Sequence, residues 1–192
     1  MSTLKIVGFA GSWSRPSRTR NLVEAAVSRA AERMGAEARM YDLAELSASL
    51  GTTLDAAEAP ADLAALLNDV VTADAIVVGS PVYKGTYTGL FKHLFDLIDP
   101  RALKDKPVVL TATGGSERHA LVLDHGLRPL FAFFSADIIA TGLYATETDF
   151  TDYRPSSAAL VARVDRAATE LSWRLLAAGS RQPEPTQALA AS

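Results

Sequence analysis

A run of hydroxyl and guanidinium side chains occupies residues 11–21, where the sequence is GSWSRPSRTRN. The run leads directly into a segment with helical periodicity, so its donors would surround a helix N-terminus, whose dipole favours negative charge. Arginine would add charge-assisted hydrogen bonds. The run has neither the G-x-G-x-x-G pattern of dinucleotide clefts nor the G-K-[ST] ending of a P-loop. It predicts a site for a terminal phosphate, and the alternative is a polar surface turn before a capped helix.

A second candidate segment, residues 79–90, has the sequence GSPVYKGTYTGL. A proline among small residues can lay its backbone along the edge of a flat ring. Tyr83 and Tyr87 would pack near such a ring, and Lys84 would serve an anionic group. The alternative is an ordinary strand-to-helix turn with surface tyrosines.

A pair of glycines marks a third segment, TATGGS at residues 111–116. Paired glycines permit close backbone approach, and their N–H groups can face an electron-rich edge of a bound ring. Alone, such a pair is more often a flexible turn. The sequence offers no Ser-His-Asp triad or carboxylate pair, and no metal-ligand spacing links His93, His119 and His125. We therefore assign no catalytic side chain and no metal.

Five short apolar runs, separated by longer segments with helical periodicity, would position these three segments. The runs lie at residues 4–10, 36–41, 75–79, 107–112 and 138–143. Nearly continuous apolar runs are typical of parallel strands that helices cover on both faces. The pattern predicts an α/β fold, a flavodoxin-like doubly wound five-stranded parallel sheet of order 2-1-3-4-5. Ligands of such sheets bind outside the carboxyl ends of the strands, where all three segments lie.

Helical periodicity predicts the crossover segments between and after these strands. The predicted helices cover residues 22–34, 61–72, 86–98, 119–134 and 156–178. Residues 44–60 are rich in Ser, Thr, Ala and Gly and are predicted as a loop that could form a mobile flap. We expect one domain over residues 1–179 and a flexible C-terminal tail, rich in Pro, Gln and Ala, at 180–192.

Composition narrows the classes of function. A chain of 192 residues with 48% hydrophobic residues fits one domain with a sizeable core, and a net charge of -3 indicates neither a nucleic-acid surface nor a polybasic membrane patch. The chain has no cysteine, which excludes disulfides, thiol nucleophiles and cysteine-held metal clusters, so redox chemistry needs a borrowed cofactor. No signal peptide or membrane span is evident, and a cytoplasmic location is expected.

Two longer stretches carry a resemblance to a known family. They are SPVYKGTYTGLFKHLFDLI at residues 80–98 and TATGGSERHALVLDHGLRPLF at residues 111–131. With the phosphate segment, they resemble the NAD(P)H-dependent FMN reductases, particularly those that serve alkanesulfonate and methanesulfonate monooxygenases. The resemblance extends from residue 5 to about residue 171. It implies hydride transfer from NADPH or NADH to FMN.

The resemblance also implies which residues bind the flavin. Phosphate contacts are expected from Ser12, Ser17, Arg18 and Thr19, and ring contacts from Pro81, Val82, Tyr83, Lys84, Thr113, Gly114 and Gly115. Trp13 and Ser14 stand where relatives often have Pro-Arg or Leu-Arg, which leaves the role of Arg15 open. His125 stands where the alkanesulfonate-type reductases usually have Tyr, in a helix that the family kinks with a π-type residue at the subunit contact. It is a candidate modulator of the flavin or, equally, an interface or surface residue.

Assembly and the fate of the flavin complete the expectations. The apolar residues of the segments around 90–98 and 127–134 spread wider than one helical stripe, which favours a homodimer or homotetramer over a thick monomer core. One hypothesis treats FMN as a substrate that leaves reduced to serve a two-component monooxygenase. The alternative holds FMN tightly and reduces quinones, azo compounds or metal oxyanions, and a flavodoxin-like electron carrier is a third class.

Overall fold

The computed structural model describes residues 3–179, which form an α/β fold around a parallel sheet. The sheet has the order β2-β1-β3-β4-β5, and a further strand, β6, also pairs with β4. These strands are β1 Lys5–Ala10, β2 Glu37–Asp42, β3 Ala75–Pro81, β4 Pro107–Thr113, β5 Asp137–Ile138 and β6 Leu143–Ala145. A small antiparallel pair is formed by β7 Phe150–Thr151 and β8 Arg154–Pro155. The predicted flavodoxin-like order is confirmed, and the predicted tail at 180–192 lies outside the described residues.

Helices cover both faces of the sheet. They are α1 Arg18–Met34, α2 Leu43–Thr52, α3 Ala61–Thr72, α4 Gly89–Asp96, α5 Arg128–Phe133 and α6 Ala158–Gly179. One apolar cluster holds α1 and α6 against one face, and a second holds α2 to α5 against the other. Neighbouring residues of β1 alternate between the clusters, since Val7 and Phe9 join one while Ile6 and Ala10 join the other. None of the described helices is long and apolar enough to cross a membrane.

The prediction of a loop at residues 44–60 is wrong, because most of these residues are helical. Asp42 caps α2 by accepting hydrogen bonds from the N–H groups of Ala44 and Glu45, at 2.9 and 3.3 Å. Leu46 and Leu50 of this helix are buried in the core. A 3₁₀ turn, Ala56–Glu58, follows before α3. Small polar residues hid the helix because only a narrow leucine face packs against the sheet, while the exposed face carries no helical signal.

The fifth predicted strand, residues 138–143, is broken in two. The first part, β5, pairs with the start of β4, and the second part, β6, pairs with the end of β4. Between them, Thr141 turns to Glu170 of α6, which accepts its N–H at 2.9 Å and its hydroxyl at 2.7 Å. At Thr141, hydrogen bonds to the Glu170 carboxylate therefore take the place of backbone hydrogen bonds to β4.

The helix predicted at residues 119–134 is three consecutive short helices. A 3₁₀ turn, Glu117–His119, precedes a π-helix, Leu123–Leu127, and α5. The π-type distortion expected around His125 is therefore confirmed. The neighbouring prediction of a helix over residues 86–98 is too long, because Thr88 caps α4 and the helix ends at Asp96.

Candidate active site

The carboxyl ends of the central strands are tied to one another by backbone hydrogen bonds. Gly11 N–H donates to the carbonyl of Gly79 at 2.7 Å, and Val82 N–H donates to the carbonyl of Thr113 at 2.8 Å. Gly114 N–H donates to the carbonyl of Ala145 at 3.0 Å. The loops after β1, β3, β4 and β6 consequently form one continuous rim, as expected where parallel strands end together.

This rim encloses an open cleft of about 230 Å³. All of the residues predicted to hold the flavin except Lys84 line it. The lining consists of Ser12, Ser14, Pro16, Ser17, Arg18, Thr19, Pro81, Val82, Tyr83, Thr113, Gly114, Gly115, Thr146, Glu147 and Tyr153. The three segments that sequence reasoning singled out therefore meet at one place.

One end of the cleft is built from hydroxyl groups around the first turn of α1. Ser17 Oγ donates to Ser12 Oγ at 2.9 Å and accepts the N–H of Arg20 at 3.2 Å, which caps the helix. The N–H groups of Arg18 and Thr19 have no hydrogen-bond partner among residues 3–179. Two hydroxyls, two unpaired N–H donors and the positive end of a long helix dipole suit a phosphate group.

The floor of this end is fixed by the contact between α1 and the sheet. The hydroxyls of Thr19 and Thr113 lie 2.6 Å apart and are buried, which joins the first turn of α1 to the end of β4. Gly79 allows α1 to approach the sheet, because a Cβ there would lie 2.2 Å from Thr111 Oγ1 and 2.5 Å from Val23 Cγ2. The position of the donor-rich turn is thus set by packing.

The opposite end of the cleft is flatter and less polar. Pro81 and Val82 line it, and the half-exposed Tyr83 ring lies edge-on to Trp13, with ring centroids 5.3 Å apart. Tyr83 and Thr86 pair across a tight turn in which Lys84 and Gly85 both have positive φ, 53° and 90°. This turn carries Lys84 out of the cleft lining, and Tyr87 lies in a different groove, so neither side chain takes the place expected from the sequence.

The two glycines after β4, Gly114 and Gly115, have different structural roles. A Cβ on Gly114 would lie 2.2 Å from the hydroxyl oxygen of Tyr144, so this position must stay bare for packing. Tyr144 donates that hydroxyl to the carbonyl of Ser116 at 2.5 Å, and burial, helped by the Glu117 carboxylate, raises its pKa. Gly115 has no atom within 4 Å of its Cβ position, and its N–H has no partner among the described residues. Gly115 therefore presents a free donor to the cleft.

The loop after β6 supplies cleft residues that sequence reasoning missed. Thr146, Glu147 and Tyr153 line the cleft, as do Ser14 and Pro16 of the first loop. Because β6 ends beside β4, the rule that ligands bind at strand ends could have pointed to this loop, but the sequence-based prediction considered only the segments after the first, third and fourth strands.

The charges near the cleft are paired. Among the described residues that line the cleft, Arg18 is the only cation and Glu147 the only anion, and the two form an ion pair. Arg15 does not line the cleft and pairs with Asp42 and Glu45, with nitrogen to oxygen distances of 2.8 and 2.6 Å. His125 does not line the cleft and borders a separate groove.

These features fit FMN better than a dinucleotide. A donor-rich helix N-terminus suits a terminal phosphate, and the flat strip from Pro81 to Tyr83, together with the free N–H of Gly115, suits the edge of a ring system. No described side chain in the cleft forms a nucleophile and base pair. Among the described residues, no cluster of His, Asp and Glu could hold a metal ion.

Comparison with known proteins places these observations in a family. The model of the NADPH-dependent FMN reductase family matches residues 4–151. A protein of Pseudomonas aeruginosa named FMN reductase (NADPH) is 50% identical over 167 residues, which is 87% of this chain and 90% of that one. A protein of Pseudomonas fluorescens named NADH-dependent FMN reductase SfnF is 50% identical over 165 residues, 86% of this chain and 88% of that one.

A solved structure agrees with these sequence relatives. The apo form of the NADH:FMN oxidoreductase EmoB superposes with a TM-score of 0.78 at 30% identity, covering 95% of this chain and 92% of that one. The sequence match, the shared topology and a cleft with the donors that a flavin phosphate requires all agree. The chain belongs to the NADPH-dependent FMN reductase family.

Proposed function

We propose that this enzyme reduces FMN with NADPH or NADH in the cleft between the loops after β1, β3, β4 and β6, and then releases the reduced flavin to a separate monooxygenase. The chemistry is a hydride transfer from the nicotinamide to the flavin, so the cofactors supply the reactive atoms. The chain's own residues bind and orient. A cytoplasmic location, where both nicotinamide cofactors are present, is part of this proposal.

The observation that carries the proposal is the polarity of the cleft from one end to the other. Ser12, Ser17 and the N–H groups of Arg18 and Thr19 converge at one end, and they would hold the phosphate. Pro81, Val82, Tyr83 and Thr113 to Gly115 line the other end, and they would hold the ring. This assignment gives each predicted flavin residue a role except Lys84, whose place on an exposed turn leaves it outside the site.

Release of the flavin is supported by the openness and neutrality of the cleft. Among the described residues that line the cleft, one side chain is cationic, and it is already paired with Glu147, so no free cation adds a charge-assisted bond to the phosphate. The partner would be the oxygenase of a two-component system. The motifs shared with reductases of sulfonate monooxygenases support a sulfonate-cleaving oxygenase as that partner.

A second copy of the chain would cover a groove distinct from the cleft. The groove has a volume of about 590 Å³ and is lined by Tyr87, Phe95, Pro129, Leu130 and Phe133, with His125 at its edge. Phe133 is 69% exposed, an unusual state for a phenylalanine beside an apolar groove. We propose that this face, between α4 and α5, is the contact of a homodimer or homotetramer.

Light scattering after gel filtration distinguishes an oligomer from a single chain and so tests the proposed contact. Phe133→Ser should reduce the mass toward that of a single chain. Trp173→Ser is the matched control, since Trp173 is also exposed but lies on α6 at the opposite face of the sheet. A wild-type protein that runs as a monomer, or a Trp173 variant that dissociates instead, would contradict the placement.

The fate of the flavin is tested by oxidation of NADPH and NADH with flavin-free protein. If FMN is a substrate, the rate should saturate with free FMN at concentrations far above that of the enzyme, and gel filtration should strip the flavin. If one retained FMN per chain suffices and an added quinone or azo dye is needed for turnover, the alternative with a prosthetic flavin replaces the proposal.

The position of the phosphate is tested separately. Ser12→Ala should weaken the binding of FMN but not of riboflavin, which lacks the phosphate, by about 10- to 150-fold for one lost hydrogen bond to a charged group. Ser28→Ala is the control, because Ser28 is exposed farther along α1 and does not line the cleft. Equal losses for both flavins would place the phosphate elsewhere.

A further inference from the structure

The one arginine among the described residues of the cleft lining, Arg18, is paired with a carboxylate rather than free to bind a flavin phosphate. Glu147 forms an ion pair with Arg18, and both side chains line the cleft. The Arg18 guanidinium also lies over the ring of Tyr153, with its Cζ 4.9 Å from the ring centroid. Arg18 is thus contacted from two sides, by Glu147 of the segment between β6 and β7 and by Tyr153 of the turn between β7 and β8.

The position of Glu147 is fixed by the turn that carries it. Glu147 begins the 3₁₀ turn Glu147–Asp149, in which Asp149 accepts the N–H of Thr146 at 2.9 Å and the hydroxyl of Ser157 at 2.7 Å. Tyr153 is tied to α1 through its carbonyl, which accepts the side-chain amide of Asn21 at 2.8 Å. The carboxylate therefore stands at the mouth of the cleft on an ordered support.

We propose that Glu147 is a specificity-determining residue that competes with the flavin phosphate for Arg18 and so keeps FMN exchangeable. This inference rests on the proposed function, which places the phosphate at the first turn of α1. Binding of a phosphate there must either break the Arg18–Glu147 pair or place a dianion close to a carboxylate. Both outcomes weaken FMN binding, and neither affects a flavin without a phosphate.

The size of the effect follows from the exposure of the pair. Side-chain exposures of 34% for Arg18 and 76% for Glu147 describe a solvated ion pair, whose energy is small and falls with salt. Glu147→Gln keeps the shape of the side chain and removes its charge. It should lower the Kd of FMN about two- to fivefold at low ionic strength, and the gain should shrink in high salt.

The experiment is a titration of flavin-free enzyme with FMN and with riboflavin, followed by flavin fluorescence. Glu147→Gln should tighten FMN binding and slow FMN dissociation, while the Kd of riboflavin stays unchanged. Glu147→Asp, which keeps the charge, should behave like the wild type. Glu24→Gln is the charge-matched control, because Glu24 pairs with Arg20 on α1 and does not line the cleft.

Each alternative result has a distinct meaning. If Glu147→Gln weakens FMN and riboflavin equally, Glu147 binds the flavin chain and the inference is overturned. If Glu24→Gln tightens FMN as much, the effect is one of net charge and the inference is again wrong. If the wild type does not prefer FMN over riboflavin, the proposed phosphate site itself fails. A wild type that prefers FMN, with Glu147→Gln unchanged from it, overturns only the inference.

Discussion

Gly79 determines how closely α1 packs on the sheet, and Gly79→Ala tests that role. Gly79 is paired with Thr111 of the neighbouring strand β4, so the two side chains share one face of the sheet. A methyl group at Gly79 would lie 2.2 Å from Thr111 Oγ1 and 2.5 Å from Val23 Cγ2. Neither neighbour can move freely, because Thr111 and Val23 are completely buried.

Two opposing terms give the expected magnitude. Overpacking of a core costs about 1–3 kcal/mol, while replacing glycine by alanine recovers about 0.4–1 kcal/mol by restricting the unfolded chain. The net destabilisation should be about 1–2 kcal/mol, which lowers the Tm of a domain of this size by about 2–8 °C. Because α1 carries the donor-rich turn, the Kd of FMN should rise as well.

Thermal unfolding followed by circular dichroism, with FMN titration beside it, measures both effects. Gly89→Ala is the matched control, since no atom lies within 4 Å of its Cβ position and Gly89 does not line the cleft, so neither stability nor FMN binding should fall. Adding Thr111→Ala to Gly79→Ala removes the closer of the two clashing atoms and should recover part of the loss. If Gly79→Ala is as stable as the wild type and binds FMN equally well, the close packing of α1 does not position the site.

Three further predictions concern single side chains. Ser17→Ala removes the cap of α1 and should lower the free energy of unfolding by about 1 kcal/mol, as measured by urea titration. Thr111→Val should raise that free energy by about 1 kcal/mol, because the buried Thr111 hydroxyl has no hydrogen-bond partner; a less stable variant would indicate a bound water there. Burial alone would raise the pKa of Glu170, but hydrogen bonds from Thr141 and the nearby Arg166 lower it overall. The lowered pKa stabilises the fold fully above the unfolded value of about 4.3 and less as the pH falls through the folded value, so Thr141→Val should cost stability at neutral pH and little in strong acid.

The sequence predicted the sheet and the cleft because both depend on strong local patterns. Continuous apolar runs define buried parallel strands, and the order of such strands confines ligands to their carboxyl ends. Ser12, Thr19, Pro81 and Gly115 could therefore be placed together without a structure. The residues of the phosphate segment stand in one stretch of chain, which made them the easiest to find.

The missed features depend on contacts between distant segments. Glu147 lies 129 residues from Arg18, and no local pattern shows that the two side chains meet. The break after β5 depends on Glu170 of α6, which is 29 residues from Thr141 and hydrogen-bonds to it where strand pairing was expected. Lys84 lies outside the cleft lining because it stands in a tight turn in which Lys84 and Gly85 both have positive φ.

The apolar breadth around α4 and α5 has a different explanation from the one the sequence favoured. Phe91, Leu94, Phe95, Leu127 and Phe131 are almost wholly buried within a single chain. Their width reflects burial between the sheet and neighbouring helices, so it gives no support to assembly. Only the exposed Phe133 and the groove beside it continue to support a second copy.

Asp42 affects how much disorder the enzyme loses when a flavin arrives. This buried carboxylate accepts hydrogen bonds from Arg15 of the first loop and Arg20 of α1, both at 2.8 Å, while it also caps α2. Three segments are fastened to one anchor before any ligand is present. The loop that would surround the phosphate therefore has little conformational entropy left to lose on binding. Association with FMN is then not slowed by a loop that must first fold around the phosphate.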